Sequence, residues 1–499
     1  MSTERKAAQE HLQRRASRRW LFRLAAILLS LSPLVLCEGL CTLLDWGRPS
    51  LHDDPFVGFR SVRPLFVLSA DQTRYEIPKA RQTHFRPESF SSNKPDNGFR
   101  IFCLGGSTVQ GRPFALETSF PTWLEISLQA ADMSRRWEVV NCGGISYASY
   151  RLVPILQEVL QYEPDLIVLY TGHNEFLEDR SFDHIRRRGE FLNALIAAAS
   201  RLRTFTLMRE GYLRLQGISS EDSARVRPLL PTEVDALLDY RGGLEAYHRD
   251  DRWRRGVIMQ YRQNLRRMVA LACDAKVNLI LVNPVSSLCD SPPFKSEHRA
   301  DLSTQERKKW ESLCQGARQR FRREDYNIHE AIALFERACE IDRLHAGTWY
   351  TLAECYRTVG RIEQARDAYV RAKELDVCPL RILQPMNEAV LELARETQTP
   401  LVDAQELFER HSPHGLVGGD WLLDHVHPAI KGHQLLADEI ANKLVSLGVA
   451  HPRPGWTERK KQRFRAQLDG LDDLYFFKGS QRLENVRSWA RGRTEDVRP

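Results

Sequence analysis

The sequence predicts an α/β fold, a three-layer sandwich with a parallel five-stranded sheet between helices. Two observations carry this. Short apolar runs bounded by Gly or Pro recur along the chain: FRIFCL (99–104), WEVVNC (137–142), DLIVLY (165–170), VNLILV (277–282) and PLVDA (400–404). They are apolar on both alternations, as strands buried on both faces must be. Helical segments separate them: FPTWLEISLQAA (120–131), YRLVPILQEVLQY (150–162) and MQYRQNLRRMVALACDA (259–275). Strands alternating with helices fold into a parallel sheet covered on both sides.

The rest of the chain is read around that core. Its 499 residues, 42% hydrophobic and 27% charged, suit two or three globular domains. Leu24 to Leu44 reads LAAILLSLSPLVLCEGLCTLL, broken by one acid, Glu38, and preceded by Arg14, Arg15, Arg18, Arg19 and Arg23. That length crosses roughly 30 Å of hydrocarbon as a helix. A cleaved signal peptide is the rival, but the long apolar run without a small-x-small cleavage site favours an uncleaved anchor, with the N-terminus in the cytoplasm and the remainder periplasmic or extracellular. Glu38, near the outer end, can snorkel to the interface. The expected organisation is a cytoplasmic tail (1–20), a transmembrane anchor (21–45) and a linker that wraps the next domain (46–96). The α/β domain then runs from 97 to 310 and from 381 to 450. A basic helical segment follows (451–499).

Two insertions interrupt the α/β domain. The first, 180–251, is helical and partly amphipathic. The second, 311–380, contains an internal repeat: Trp349, Leu352, Ala353, Tyr356, Gly360, Ala365, Tyr369 and Ala372 fall at tetratricopeptide spacing. Ala331, Phe335, Ala338, Ile341 and Asp342 repeat Ala365, Tyr369, Ala372, Leu375 and Asp376 one period earlier. So short an array cannot bury its own apolar faces, so it is expected to dock on the α/β domain or on a protein partner. Together the insertions are expected to wall a deep cleft.

The ends of the strands carry the polar residues. The first ends in Gly105-Gly106-Ser107-Thr108, the second in GGISY (143–147), the third in Thr171-Gly172-His173-Asn174-Glu175. Beyond the fifth lies DHVHP with Asp424, His425 and His427, followed by His433. Ligands of parallel sheets bind at the carboxyl ends, so these segments converge. Ser107 alone reads as a helix cap. A serine, an Asp-x-x-His pair, glycine-flanked backbone donors and an asparagine amide together are what acyl transfer needs. The strand ends are too poor in acids and histidines for a metal centre, and none of the ten cysteines forms a metal-binding or redox pair. No cofactor, metal or nucleic acid is called for.

The four segments resemble the SGNH/GDSL hydrolase superfamily, whose blocks contribute Ser, Gly, Asn and His in that chain order on a flavodoxin-like sheet. With its apolar N-terminal stretch and inserted tetratricopeptide segment, the chain is similar to the membrane-anchored bacterial subtype. The resemblance implies Ser107 as nucleophile, His427 as base, Asp424 as its orienting carboxylate, and an oxyanion hole from Ser107, Gly144 and Asn174. In the second block the donor slides to Ser146 or Tyr147 on another alignment. Gly106 departs from the family, where Asp is common. His173 and Glu175 are expected to be turn residues, His425 and His433 structural. The implied activity is ester hydrolysis, with an acylated small molecule or envelope polysaccharide as substrate. An O-acyltransferase using the same residues, and a non-catalytic scaffold for envelope assembly, are the alternatives.

Overall fold

The protein is described here by a computed structural model that places residues 64–177, 247–322 and 327–491, residues 244–245, and parts of 32–46 and 199–211. The chain forms two compact units, Met1–Ser61 with Arg187–Leu230, and Val62–Arg186 with Pro231–Pro499.

In the first unit residues 35–43 are helical. Glu38 is engaged within the unit: its carboxylate accepts the backbone N–H of Arg203 (2.7 Å) and Thr204 (2.9 Å) and the Thr204 hydroxyl (2.8 Å). The inserted segment thus satisfies the acid locally. Much of the expected anchor and of the first insertion lies outside the described residues. Among those described, no helix is long and apolar enough to cross a membrane.

The second unit opens with a small antiparallel sheet, β1 (Val67–Leu68), β2 (Arg74–Glu76) and β3 (Ser89–Ser91). It belongs to the segment read as a linker. It is fastened to the domain because Glu158 accepts the N–H groups of Leu65 and Phe66 at 2.6 and 2.8 Å, while Phe66 and Phe90 pack edge-on against Phe102.

The main sheet follows. Its strands are β4 (Gly98–Gly105), β5 (Arg136–Gly143), β6 (Leu166–Tyr170), β7 (Asn278–Asn283) and β8 (Leu401–Asp403), all parallel, in the order β5-β4-β6-β7-β8. Each coincides within about two residues with an apolar run, because those runs are buried on both faces. Arg100 is the exception within β4, 1% exposed. Its guanidinium is satisfied by Glu138 (2.6 Å) and the carbonyls of Tyr162 and Ser91 (both 2.7 Å).

Helices cover both faces. After β4 comes the single turn α1 (Ser107–Gln110), then α2 (Phe120–Ala131). Phe120, Trp123, Leu124, Ser127, Leu128 and Ala131 of α2 are buried at i, i+3, i+4, i+7 spacing, the stripe expected of a helix lying on a sheet. Across the sheet lie α3 (Ser149–Val159) and α4 (Asp251–Asp274). The inserted helices are α5 (Thr304–Arg322), α6 (Ile328–Ile341), α7 (Ala346–Thr358) and α8 (Ile362–Leu375), each packed on the next. They share a core with Leu288, Cys289 and Leu416 of the α/β domain. Tyr350 donates its hydroxyl to the Cys289 carbonyl at 2.6 Å, and the Asp376 carboxylate accepts the N–H groups of Phe294 and Lys295 at 2.8 and 3.1 Å. The repeat segment therefore docks on its own domain.

The chain returns through α9 (Gln384–Thr397), which joins α4 on the second face, and α10 (Ala404–His411) after β8. It then passes through α11 (Ile430–Ser446) and α12 (Trp456–Asp469), which join α2 on the first face, and ends in α13 (Asp473–Arg491). The strand order reverses around β4, so the crevice at the carboxyl ends of β4, β5 and β6 is where a doubly wound sheet offers a site.

Candidate active site

Four loops meet there. Gly106 is the extended residue before α1, which puts Ser107 at the first helical position with its N–H outside the helical ladder. The Asp424–His427 loop is held by the bridge between Leu422 and Pro428 and by a bond from the Leu423 N–H to the His427 carbonyl (2.8 Å). It is tied to the segment after β7 by the Ser287 N–H, donated to the His425 carbonyl at 2.9 Å.

The side chains form one chain of hydrogen bonds. Ser107 Oγ lies 2.7 Å from His427 Nε2, and His427 Nδ1 lies 2.7 Å from Asp424 Oδ2. Asp424 Oδ1 also accepts the backbone N–H groups of Val426 and His427 at 2.9 and 2.8 Å. Burial by itself pushes the Asp424 carboxyl up, but the His427 ring, His425 and these donors outweigh it and hold the group well below the usual carboxylate range. An ionised carboxylate only accepts, so the proton sits on Nδ1 and Nε2 is left to accept from Ser107.

Asn174, after β6, turns its amide into the same place and donates one Nδ2–H to the Tyr147 carbonyl at 3.1 Å. Gly106 makes room for it: a Cβ on Gly106 would stand 2.6 Å from Asn174 Nδ2. The departure from the common Asp is therefore coupled to the amide position. An aspartate here would collide with Asn174.

The second block behaves differently from the resemblance. The Gly144 N–H is donated to the Gly105 carbonyl (3.0 Å), continuing the β4–β5 ladder, and so does not point at Ser107. The N–H groups of Gly143, Ile145 and Tyr147 go to Asn141 Oδ1 and to the carbonyls of His84 and Gly144. Ile145 and Ser146 of this turn both line the cavity, and of the two Ser146 has a left-handed φ of 62° and, among the described residues, no acceptor for its N–H.

The flanking residues are structural. Glu175 is buried and accepts the N–H and hydroxyl of Ser149, both at 2.8 Å, at the start of α3; burial raises it to about 7. His173 accepts the Ile382 N–H at 3.3 Å, and burial lowers it to about 3. His433 is buried in α11 with neither ring nitrogen partnered, and burial lowers it to about 3. His425 differs from expectation, because besides standing 3.7 Å from Asp424 Oδ1 it lines the cavity.

That cavity has a volume of about 360 Å³. Ser107, His427, Asn174 and Ser146 face it, with apolar walls from Ile145, Leu177, Leu380 and Val426. Helices α5 to α8 supply none of its described lining; Leu380 comes from the segment just after α8. Asn485 and Val486 of α13 close one side instead, and Arg112 lines another. Neither contribution was legible, since no motif marks Arg112 or the C-terminal helix. Among the described residues no group of His, Cys, Asp and Glu could hold a metal ion.

No protein-family model matches the sequence. No curated protein matches it either. Similar solved structures include an acetylxylan esterase from Geobacillus stearothermophilus, 13% identical over 73% of this chain and 99% of that chain, with a TM-score of 0.32. An alpha/beta hydrolase enzyme from the metagenome of Lake Arreo is 15% identical over 72% and 98%, with a TM-score of 0.31. A protein described as lipolytic and of the G-D-S-L family from Desulfitobacterium hafniense is 11% identical over 69% and 99%, with a TM-score of 0.30. Scores this low carry no argument about the site, which rests on its own geometry.

Proposed function

We propose that the protein is a serine esterase in which Ser107, His427 and Asp424 act in sequence on an ester carbonyl. The observation that carries the reading is the pair of 2.7 Å contacts linking the three side chains at the wall of a cavity that also holds the Asn174 amide. Ser107 Oγ attacks the carbonyl carbon as His427 Nε2 takes its proton; Asp424 stabilises the imidazolium and fixes the ring. The oxyanion is received by the Ser107 N–H, the free Nδ2–H of Asn174 and the Ser146 N–H in place of that of Gly144. Such donors act on charge that develops only in the transition state, and each is worth about 3 kcal/mol. Collapse expels the alcohol with the proton from Nε2, and water repeats the sequence on the acyl-enzyme. The apolar walls suit an acyl group or a sugar face.

The apolar stretch 24–44 behind its arginines supports placing this reaction outside the cytoplasmic membrane, on a membrane-anchored chain. The tetratricopeptide spacing of α6 to α8 supports reading them as such a repeat.

The test is covalent labelling. A fluorophosphonate probe should modify the wild-type chain and not Ser107→Ala; a folded wild type that takes no label sinks the esterase reading.

A further inference from the structure

We propose that the cavity carries an anion subsite centred on Arg112, so that the ester it accepts bears a carboxylate, phosphate or sulfate. The inference rests on the esterase reading for its catalytic meaning, but the subsite has geometry of its own. Arg112 lines the cavity beside Ser107, and its Nε is buried without a hydrogen-bond partner. A buried guanidinium nitrogen left without an acceptor keeps the full cost of its desolvation. Arg482 of α13 is fixed at the next two residues of the chain, donating Nη1 to the carbonyls of Pro113 and Phe114 at 3.1 and 2.8 Å. Arg86 adds a third guanidinium, also with an unpartnered buried Nε, from a segment fixed to the site by the His84 carbonyl, which accepts from the Ile145 N–H and Gln110 Nε2.

The positive charge is not neutralised from within. Burial lowers both Arg86 and Arg112, and the charge of Arg482 lowers them further. Two acids face them, Asp424 toward Arg112 and Glu117 toward Arg86. Asp424 already spends both oxygens on the His427 loop. Glu117 is exposed and, among the described residues, forms no ion pair with any of the three. A planar guanidinium with free donors at the edge of a half-apolar cavity binds carboxylate or phosphate oxygens in pairs. The bound anion supplies the missing acceptor.

The anion can sit on the acyl or the alcohol side, and matched esters separate the two. Phenyl hydrogen adipate is compared with phenyl hexanoate, and 4-acetoxybenzoate with phenyl acetate, by kcat/KM. The full-length wild type should prefer the charged member of one pair by about tenfold or more. Arg112→Gln should cut that ratio by about tenfold and Arg112→Lys should restore part of it; Arg86→Gln, a smaller reduction, serves if Arg112→Gln does not fold. No charge preference in either pair, or a preference that survives Arg112→Gln, overturns the subsite. A binding readout keeps this apart from hydrolysis: benzoate and inorganic phosphate are titrated into Ser107→Ala with and without Arg112→Gln. Arg112-dependent binding, together with a wild type that cleaves no ester, would sink the hydrolase and leave the subsite standing; no binding, with no charge preference, removes it.

Discussion

Asp424 holds His427 twice, at the ring through Oδ2 and at the backbone N–H through Oδ1, so its removal has a specific consequence. Asp424→Asn keeps the shape but offers an amide donor where the ring needs an acceptor, and kcat should fall roughly 10⁴-fold with little change in KM. Asn174→Ala should lower kcat by about 100-fold in steady-state assays, the loss of one oxyanion donor. Gly106→Ala should come close to that value, because its Cβ must push the Asn174 amide out of line and misplacement of about 1 Å costs on the order of 10². His433 predicts a stability effect instead. Burial, and then the charge of His427, lower it from 6.5 to about 3, so between those values the unfolded chain binds a proton that the folded chain refuses. Its contribution is therefore present at neutral pH and lost as pH falls through that window, with a slope of about 1.4 kcal/mol per pH unit. Urea unfolding of His433→Leu across pH 6 to 4 should show a slope shallower by that amount.

At the scale of elements, α13 closes one side of the cavity with Asn485 and Val486. Tyr475 bonds the Thr118 hydroxyl at 2.8 Å, and Gly479 packs so closely that a Cβ would stand 2.1 Å from Phe114 Cδ1. Gly479→Leu should lift the helix, withdraw Asn485 and Val486, and raise KM by on the order of tenfold while kcat holds. The repeat helices contribute in another way. Their apolar spacing made them legible, and one shared core with Leu288 and Leu416 shows where the exposed face goes. Of the segment 311–380, expected to wall the cleft, Leu380 lines the cavity, while helices α5 to α8 supply none of its described lining.

For the whole molecule, the predicted topology has a direct check: alkaline phosphatase fused after residue 50 should be active, and activity only of a cytoplasmic reporter at that position would reverse it. The strands were legible because burial on both faces leaves an unbroken apolar run, as in FRIFCL and DLIVLY. The convergence of Ser107, Asn174 and His427 was legible too, since parallel strands deliver their carboxyl ends to one edge whatever lies between them. Whether the Gly144 N–H is free was not legible, because it depends on the Gly105 carbonyl across the ladder, which accepts it, while the Ser146 N–H has no acceptor among the described residues in the left-handed turn there. Arg112 and Arg482 carry no motif, and their meeting is made by a helix from the far end of the chain. Sequence alone thus determined the elements, their order and the side chains that meet at the strand ends, all properties of residues and near neighbours. Which donors stay unpaired, what walls the cavity and where charge is desolvated were decided by tertiary contacts, because hydrogen-bond satisfaction and burial belong to segments distant in the chain.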